Sequence, residues 1–108
     1  MKLRDYLRVP FVLEACSCEV ADGEWTNRVS YPELGDCAIE GTSFEAIVDS
    51  LERRRVTMIL DRLSRGVPVS VPRAPDENIE PRLLLEQLDL IAEFERWLDL
   101  DELDLQSK

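Results

Sequence analysis

The side chains able to do chemistry in this sequence are few, and the first are two cysteines one residue apart, Cys16 and Cys18. Such a pair holds a structural metal only if further soft ligands converge on it. Cys37 lies far along the chain and histidine is absent, so the four ligands of a zinc site are not at hand. Three thiols cannot all pair within one chain, and they are expected to stay reduced. On an extended strand, residues two apart share a face, which puts Cys16 and Cys18 side by side in the role of small hydrophobes. Glu14, Glu19 and Glu40 are the carboxylates that invite a magnesium-dependent nuclease reading. That chemistry needs several acids converging on two ions, and solvated strand edges account for these three more simply. Without histidine the chain also lacks the commonest general base, and no serine or cysteine has an evident activating neighbour. No catalytic residue, metal or cofactor is therefore expected.

The bases gather at Arg53-Arg54-Arg55, followed by Arg62 and Arg65. A nucleic-acid footprint is one reading of this cluster. Consecutive residues spread around a helical turn, however, which leaves a solvated face or a docking site for acidic groups as the other readings. Arg53, Arg54, Arg62 and Arg65 are the candidates for charge docking. The acids are unevenly placed: residues 1–75 hold twelve acids against ten bases and residues 76–108 eleven against three, so most of the net charge of −10 lies in the tail. Such a field repels phosphate backbones and steers basic protein surfaces.

These groups need elements to hold them. At 108 residues and 44% hydrophobic content, the chain has material for one modest domain core. No apolar run reaches the roughly eighteen residues needed to cross a bilayer, and Met1-Lys2-Leu3-Arg4 leads into no apolar leader, so a cytoplasmic address is expected. Val9 to Val20 reads as a strand from its β-branched and small apolar residues, with Pro10 tolerated near its start. Ala21-Asp22-Gly23-Glu24 reads as a tight turn with positive φ values. Trp25, Asn27, Val29 and Tyr31 alternate with Thr26, Arg28 and Ser30 in a half-buried second strand, and Cys37 to Gly41 forms a short third one.

At Thr42 the pattern changes, because Thr42-Ser43-Phe44-Glu45 fits a capping box with Thr42 as the cap. Phe44, Ile47, Val48, Leu51, Met58, Ile59 and Leu63 recur at helical spacing, which predicts a helix over about 43–65 with Gly66 as its left-handed stop. Val67 to Pro72 offers an edge strand and residues 73–78 a linker. Pro81 then opens an acidic amphipathic helix with a stripe of Leu84, Leu88, Ile91, Phe94 and Leu98, and Trp97 beside it. That stripe is expected to pack on a second copy or on a partner, or else to cover the domain's own core, while the last eight or so residues fray or order only on a partner.

Three fragments in order resemble the HicB family of antitoxins. Tyr31-Pro32-Glu33-Leu34-Gly35-Asp36-Cys37 is similar to that family's aromatic-Pro-acid-Leu-Pro-Gly-Cys turn, Gly41-Thr42-Ser43-Phe44-Glu45-Ala46 to its helix start, and Gly66-Val67-Pro68-Val69-Ser70-Val71-Pro72 to its closing Gly-x-Pro strand. The resemblance implies an α+β fold, a partial ribonuclease H-like β-β-β-α-β unit over about residues 8–72, and a protein that binds and silences a small basic ribonuclease toxin. The chain departs from the family where Gly35-Asp36 replaces Pro-Gly, and where an acidic helix occupies the place of the usual DNA-binding segment. The second departure counts against direct DNA binding. A HicB-like domain over 1–75, an acidic helix over 76–108 used for oligomerisation or partner binding, and assembly as a dimer or tetramer are the resulting expectations. A stand-alone oligomeric scaffold, or a transcriptional regulator without a toxin, is the alternative.

Overall fold

The computed structural model describes residues 1–35 and 37–107, so Asp36, in the break expected before the third strand, and Lys108 lie outside the described residues. The chain is α+β, and it divides into two compact units, residues 11–55 and the combination of 1–10 with 56–108.

The first unit is a three-stranded antiparallel meander of β1 (Glu14–Ala21), β2 (Glu24–Ser30) and β3 (Ala38–Gly41), in spatial order β1-β2-β3, with the opening turns of α2 (Phe44–Ser64). The hairpin forms at Asp22-Gly23 as the sequence requires. Only Gly23 takes a positive φ (+75°), and the register slips between Glu19 and Ala21 instead of closing a turn with two left-handed residues. β1 begins at Glu14, later than Val9, and the Pro32 break becomes a 3-10 turn over Pro32–Leu34. Val29, Tyr31, Leu34, Cys37, Ile47 and Leu51 are the buried apolar residues of this unit. Phe44, expected on the buried stripe of the helix, is exposed. The cap also differs by one residue, for the Ser43 hydroxyl, not that of Thr42, accepts from the Ala46 N–H at 3.4 Å. Gly41 serves as more than a strand stop: a Cβ there would sit 2.6 Å from Cγ2 of Ile47, so only glycine lets β3 and the helix approach this closely.

The second unit is helical. It contains α1 (Leu3–Leu7), the residues of α2 from Val56 onward, α3 (Pro81–Gln87), α4 (Ile91–Phe94) with a 3-10 turn over Glu95–Trp97, and α5 (Glu102–Gln106). Gly66 ends α2 as expected, with φ +73° and the Val67 N–H returning to the Arg62 carbonyl at 2.9 Å. The edge strand expected over Val67 to Pro72 does not form. Pro68 and Pro72 have no N–H to give a ladder, and Val67 has spent its own on the helix end.

The single C-terminal helix expected from Pro81 is also broken. Asp89 adopts a left-handed φ of +57° and the Leu90 N–H bonds back to the Leu85 carbonyl at 2.8 Å, closing α3 and turning the chain before α4. Aspartate tolerates this conformation because its short polar side chain can bond locally. Nor do the last residues fray within the described range: the Asp101 side chain caps α5 by accepting from the Asp104 N–H at 2.9 Å.

The tail is bound to the start of the chain by backbone. Leu3 N–H and Arg4 N–H donate to the carbonyls of Leu100 and Leu98, both at 3.0 Å, Lys2 bridges Asp101, and Arg4 Nε lies 2.8 Å from Asp99. Arg8 Nε donates to the Ile79 carbonyl at 3.0 Å, and the Asp76 N–H to the Arg8 carbonyl at 2.8 Å. Tyr6 hydroxyl donates to Glu102. The compact units therefore do not divide at residues 75 and 76, since residues 1–10 and 76–105 belong to one of them. Among the described residues no helix is long and apolar enough to cross a membrane.

Two expectations follow. Truncation after Pro75 removes Leu85, Leu88, Phe94, Leu98 and Leu105, all buried. At about 1.5–3 kcal/mol apiece this loss exceeds what a small unit can lose and stay folded. Amide exchange should then show residues 56–64 and 1–10 unprotected while residues 24–41 remain protected. Separately, Gly41→Ala should cost about 1–3 kcal/mol in denaturant unfolding. Adding Ile47→Ala, which removes the opposing methyl, should make the pair cost less than the sum of the two single changes.

Candidate protein interface

The parity of β2 sets which side chains of the sheet face solvent. Val29 is fully buried, so its neighbours Arg28 and Ser30 point to the opposite face. Register partners share a face, and the open one carries Glu14, Cys16 and Cys18 of β1, opposite Ser30, Arg28 and Thr26 of β2, with Glu40 of β3 beyond Arg28. Arg28 Nε lies 3.7 Å from Glu40, an exposed pair worth little by itself. Glu19 falls on the other face opposite Trp25, so strand parity separates it from Glu14 and Glu40 and the three carboxylates do not converge. Among the described residues no group of three or more His, Cys, Asp or Glu is placed to hold a metal ion.

Every residue of β1 is exposed, on both faces. It is also a terminal strand, and no described strand pairs along its outer side. Exposed apolar residues surround it: Val12 and Leu13 before it, Val20 at 65% exposure within it and Trp25 at 58% across the hairpin. Acids prevail along the hairpin: Glu14, Glu19, Asp22 and Glu24 have no base among residues 12–27, and Arg28 opposite Cys16 is paired with Glu40. Ser17 Oγ hydrogen-bonds Asn27 Oδ1 at 2.8 Å, and Asn27 Nδ2 donates to the Thr42 carbonyl at 3.3 Å, which brace the hairpin from β2's side and leave the outer edge open. A long unpaired edge flanked by apolar side chains is a template for another strand. The Cys18 thiol is raised from its ordinary value by its hydrogen bond with Cys16 and by that neighbour's charge, with Glu40 adding and Arg28 opposing.

The base of the same unit is held by a buried charge. Arg55 is 6% exposed and grips Glu52 through Nε at 3.3 Å and Nη2 at 2.9 Å, while its guanidinium lies 5.9 Å from the centre of the Tyr31 ring. Tyr31 donates its hydroxyl to Glu52, and Phe11 packs tilted against its ring at 6.2 Å. Removing Glu52 would leave the Arg55 charge buried without its partner.

The residues singled out in the sequence scatter differently. Leu88, Phe94 and Leu98 are buried within the chain itself, so their burial needs no second copy. Leu84 and Ile91 are half-buried. Trp97 is half-buried beside Leu60, Ser64 and Leu105, with Nε1 donating to the Glu93 carbonyl at 3.0 Å and the Arg96 guanidinium 4.6 Å from its ring centre. Of the arginines, Arg53 pairs with Asp49 at 3.0 Å and Arg65 with Asp61 at 2.7 Å, both one turn away on α2; Arg54 is exposed and Arg62 half-buried. Of the tail acids, Asp99 holds Arg4 and Glu95 holds Arg82. What sequence reasoning missed is that β1 is exposed along its whole length, and that Arg55 is buried within the run of three arginines. No family model, curated protein or solved structure matches this chain.

Burial, the Glu52 hydrogen bond and the Glu52 charge raise the Tyr31 hydroxyl above the ordinary tyrosine value, against a smaller opposing effect of Arg55. A raised folded value means the folded state holds this proton more tightly than the unfolded one. Its contribution is whole below about pH 10 and declines as pH rises beyond that. Tyr31→Phe should flatten the fall of unfolding free energy above about pH 10, as read by urea titration at a series of alkaline pH values.

Proposed function

We propose that this chain is an antitoxin-like inhibitor that acts by binding, holding an extended basic segment of a partner protein along the outer edge of β1 by strand addition. The observation that carries this reading is β1 itself, open on both faces and at one edge, with four acids along the hairpin and Arg28, paired with Glu40, the base across from it. An added strand satisfies the free backbone groups of that edge, and Lys or Arg side chains on its two faces meet Glu14 on one and Glu19 on the other. Val12, Leu13, Val20 and Trp25 offer it apolar anchors. A second copy of the chain is the poorer guest, because antiparallel pairing of two β1 strands sets acids among acids. Dimers or tetramers would have to form elsewhere on the chain. The HicB resemblance supports the same direction, as proteins of that family bind a small basic ribonuclease. DNA is a poorer ligand still, with Arg53, Arg55 and Arg65 each committed to a carboxylate on its own helix.

The test is co-expression with the product of the adjacent reading frame, with a short synthetic peptide alternating valine and lysine as a defined probe. A basic partner should co-purify, and amides of β1 should gain exchange protection in the complex and with the peptide. The double substitution Glu14→Lys, Glu19→Lys, at two exposed positions, should weaken binding by about tenfold or more and reverse its salt dependence. If binding is unaffected by this reversal and β1 stays unprotected, the strand-addition reading is wrong.

A further inference from the structure

The two thiols on β1 form a second, independent feature. Cys16 and Cys18 are both exposed, unoxidised and directed to the same open face, with their sulfurs 3.8 Å apart. A disulfide does not fit them in place. Its Cβ atoms must stand about 3.5–4.5 Å apart, whereas alternate residues of a strand are separated by roughly 6.5–7 Å along its axis. What fits between two sulfurs that are near each other on separated Cβ atoms is a bridging atom that bonds to both.

We propose that Cys16 and Cys18 are a dithiolate site for one monovalent, thiophilic d10 cation of the copper(I) and silver(I) class. Ligand count selects this class. Thiolates are soft donors that take copper(I), zinc or iron–sulfur clusters, but zinc asks for four ligands and so do the clusters. Here there are two: Cys37 is fully buried, and among the described residues no third His, Cys, Asp or Glu is placed to complete a metal set. A d10 cation of single charge is satisfied by two sulfurs in near-linear coordination, which a small parting of two exposed side chains provides. Binding exchanges two S–H protons for two metal–sulfur bonds with no change of oxidation state, and it leaves one negative charge on the bis-thiolate. Arg28, the register partner of Cys16 on the same face and 3.7 Å from Glu40, is the nearby base.

The experiment is anaerobic titration of the full, reduced chain with copper(I) against a chromophoric chelator, read also by native mass spectrometry and by sulfur coordination number in X-ray absorption. One copper per chain, two sulfur neighbours and the loss of two protons are expected. Cys16→Ser and Cys18→Ser, both at exposed positions, should each lower affinity by more than the roughly 10–100-fold that loss of a supporting contact costs. Cys37→Ser should leave the stoichiometry unchanged; should it unfold the chain, alkylation of Cys16 and Cys18 in the native protein gives the same discrimination by abolishing uptake. Copper binding that survives in the Cys16→Ser, Cys18→Ser double variant would overturn the proposal. So would a stoichiometry of one metal per two chains, or zinc(II) displacing copper(I) at equal concentration.

Discussion

One buried side chain governs the sheet. With Val29 fully buried, a one-residue slip of β2 would exchange every inward and outward position of the hairpin, so the register is held by the free energy of burying that face. From this follow the open placement of Cys16, Cys18 and Arg28, the separation of Glu19 from Glu14 and Glu40, and the exposure of Trp25 beyond the covered part of the face. The close passage of Gly41 against Ile47 and the grip of Arg55 on Glu52 beneath Tyr31 secure the same face from the helix side. An ion pair of this kind, with Arg55 only 6% exposed, is weak evidence for net stability. The Arg55 donors find Glu52 on their own helix, and the Tyr31 hydroxyl reaches the same carboxylate only when helix and strand end meet in one geometry.

The helical unit solves a different problem. Its acids outnumber its bases, yet its apolar residues are needed within the chain, and α1 supplies the missing cover through Leu3, Tyr6 and Leu7. Backbone bonds from Leu3 and Arg4 to the carbonyls of Leu100 and Leu98 make this a designed seat in the sense that donors at a helix start, otherwise orphaned, are satisfied by the tail. Acid–base pairs at the rim, Arg4 with Asp99 and Arg82 with Glu95, add orientation more than energy.

Together these features separate two tasks. Residues that hold the chain together lie on the covered faces, whereas β1 is exposed along its whole length, where an open edge, a run of acids and a pair of thiols coincide. Burial within the chain takes Leu88, Phe94 and Leu98 out of contention as partner anchors and leaves Trp97 partly accessible.

The sequence by itself determined the local elements whose signals are steric: the Asp-Gly hairpin, the period of two in β2, and a helix whose observed bounds, Phe44–Ser64, lie within a residue of those expected, stopped by Gly66. It also determined that Cys16 and Cys18 share a face, because alternation is a property of any strand. Only the tertiary structure decided what covers what. A short apolar helix such as α1 carries no periodic signal, and the left-handed turn at Asp89 depends on a carbonyl of α3 being available to receive Leu90. The exposure of β1 was illegible for the same reason. Whether a strand of small and β-branched residues is core or edge depends on the presence of a neighbour, and a neighbour is fixed by packing at long range, not by the strand's own residues.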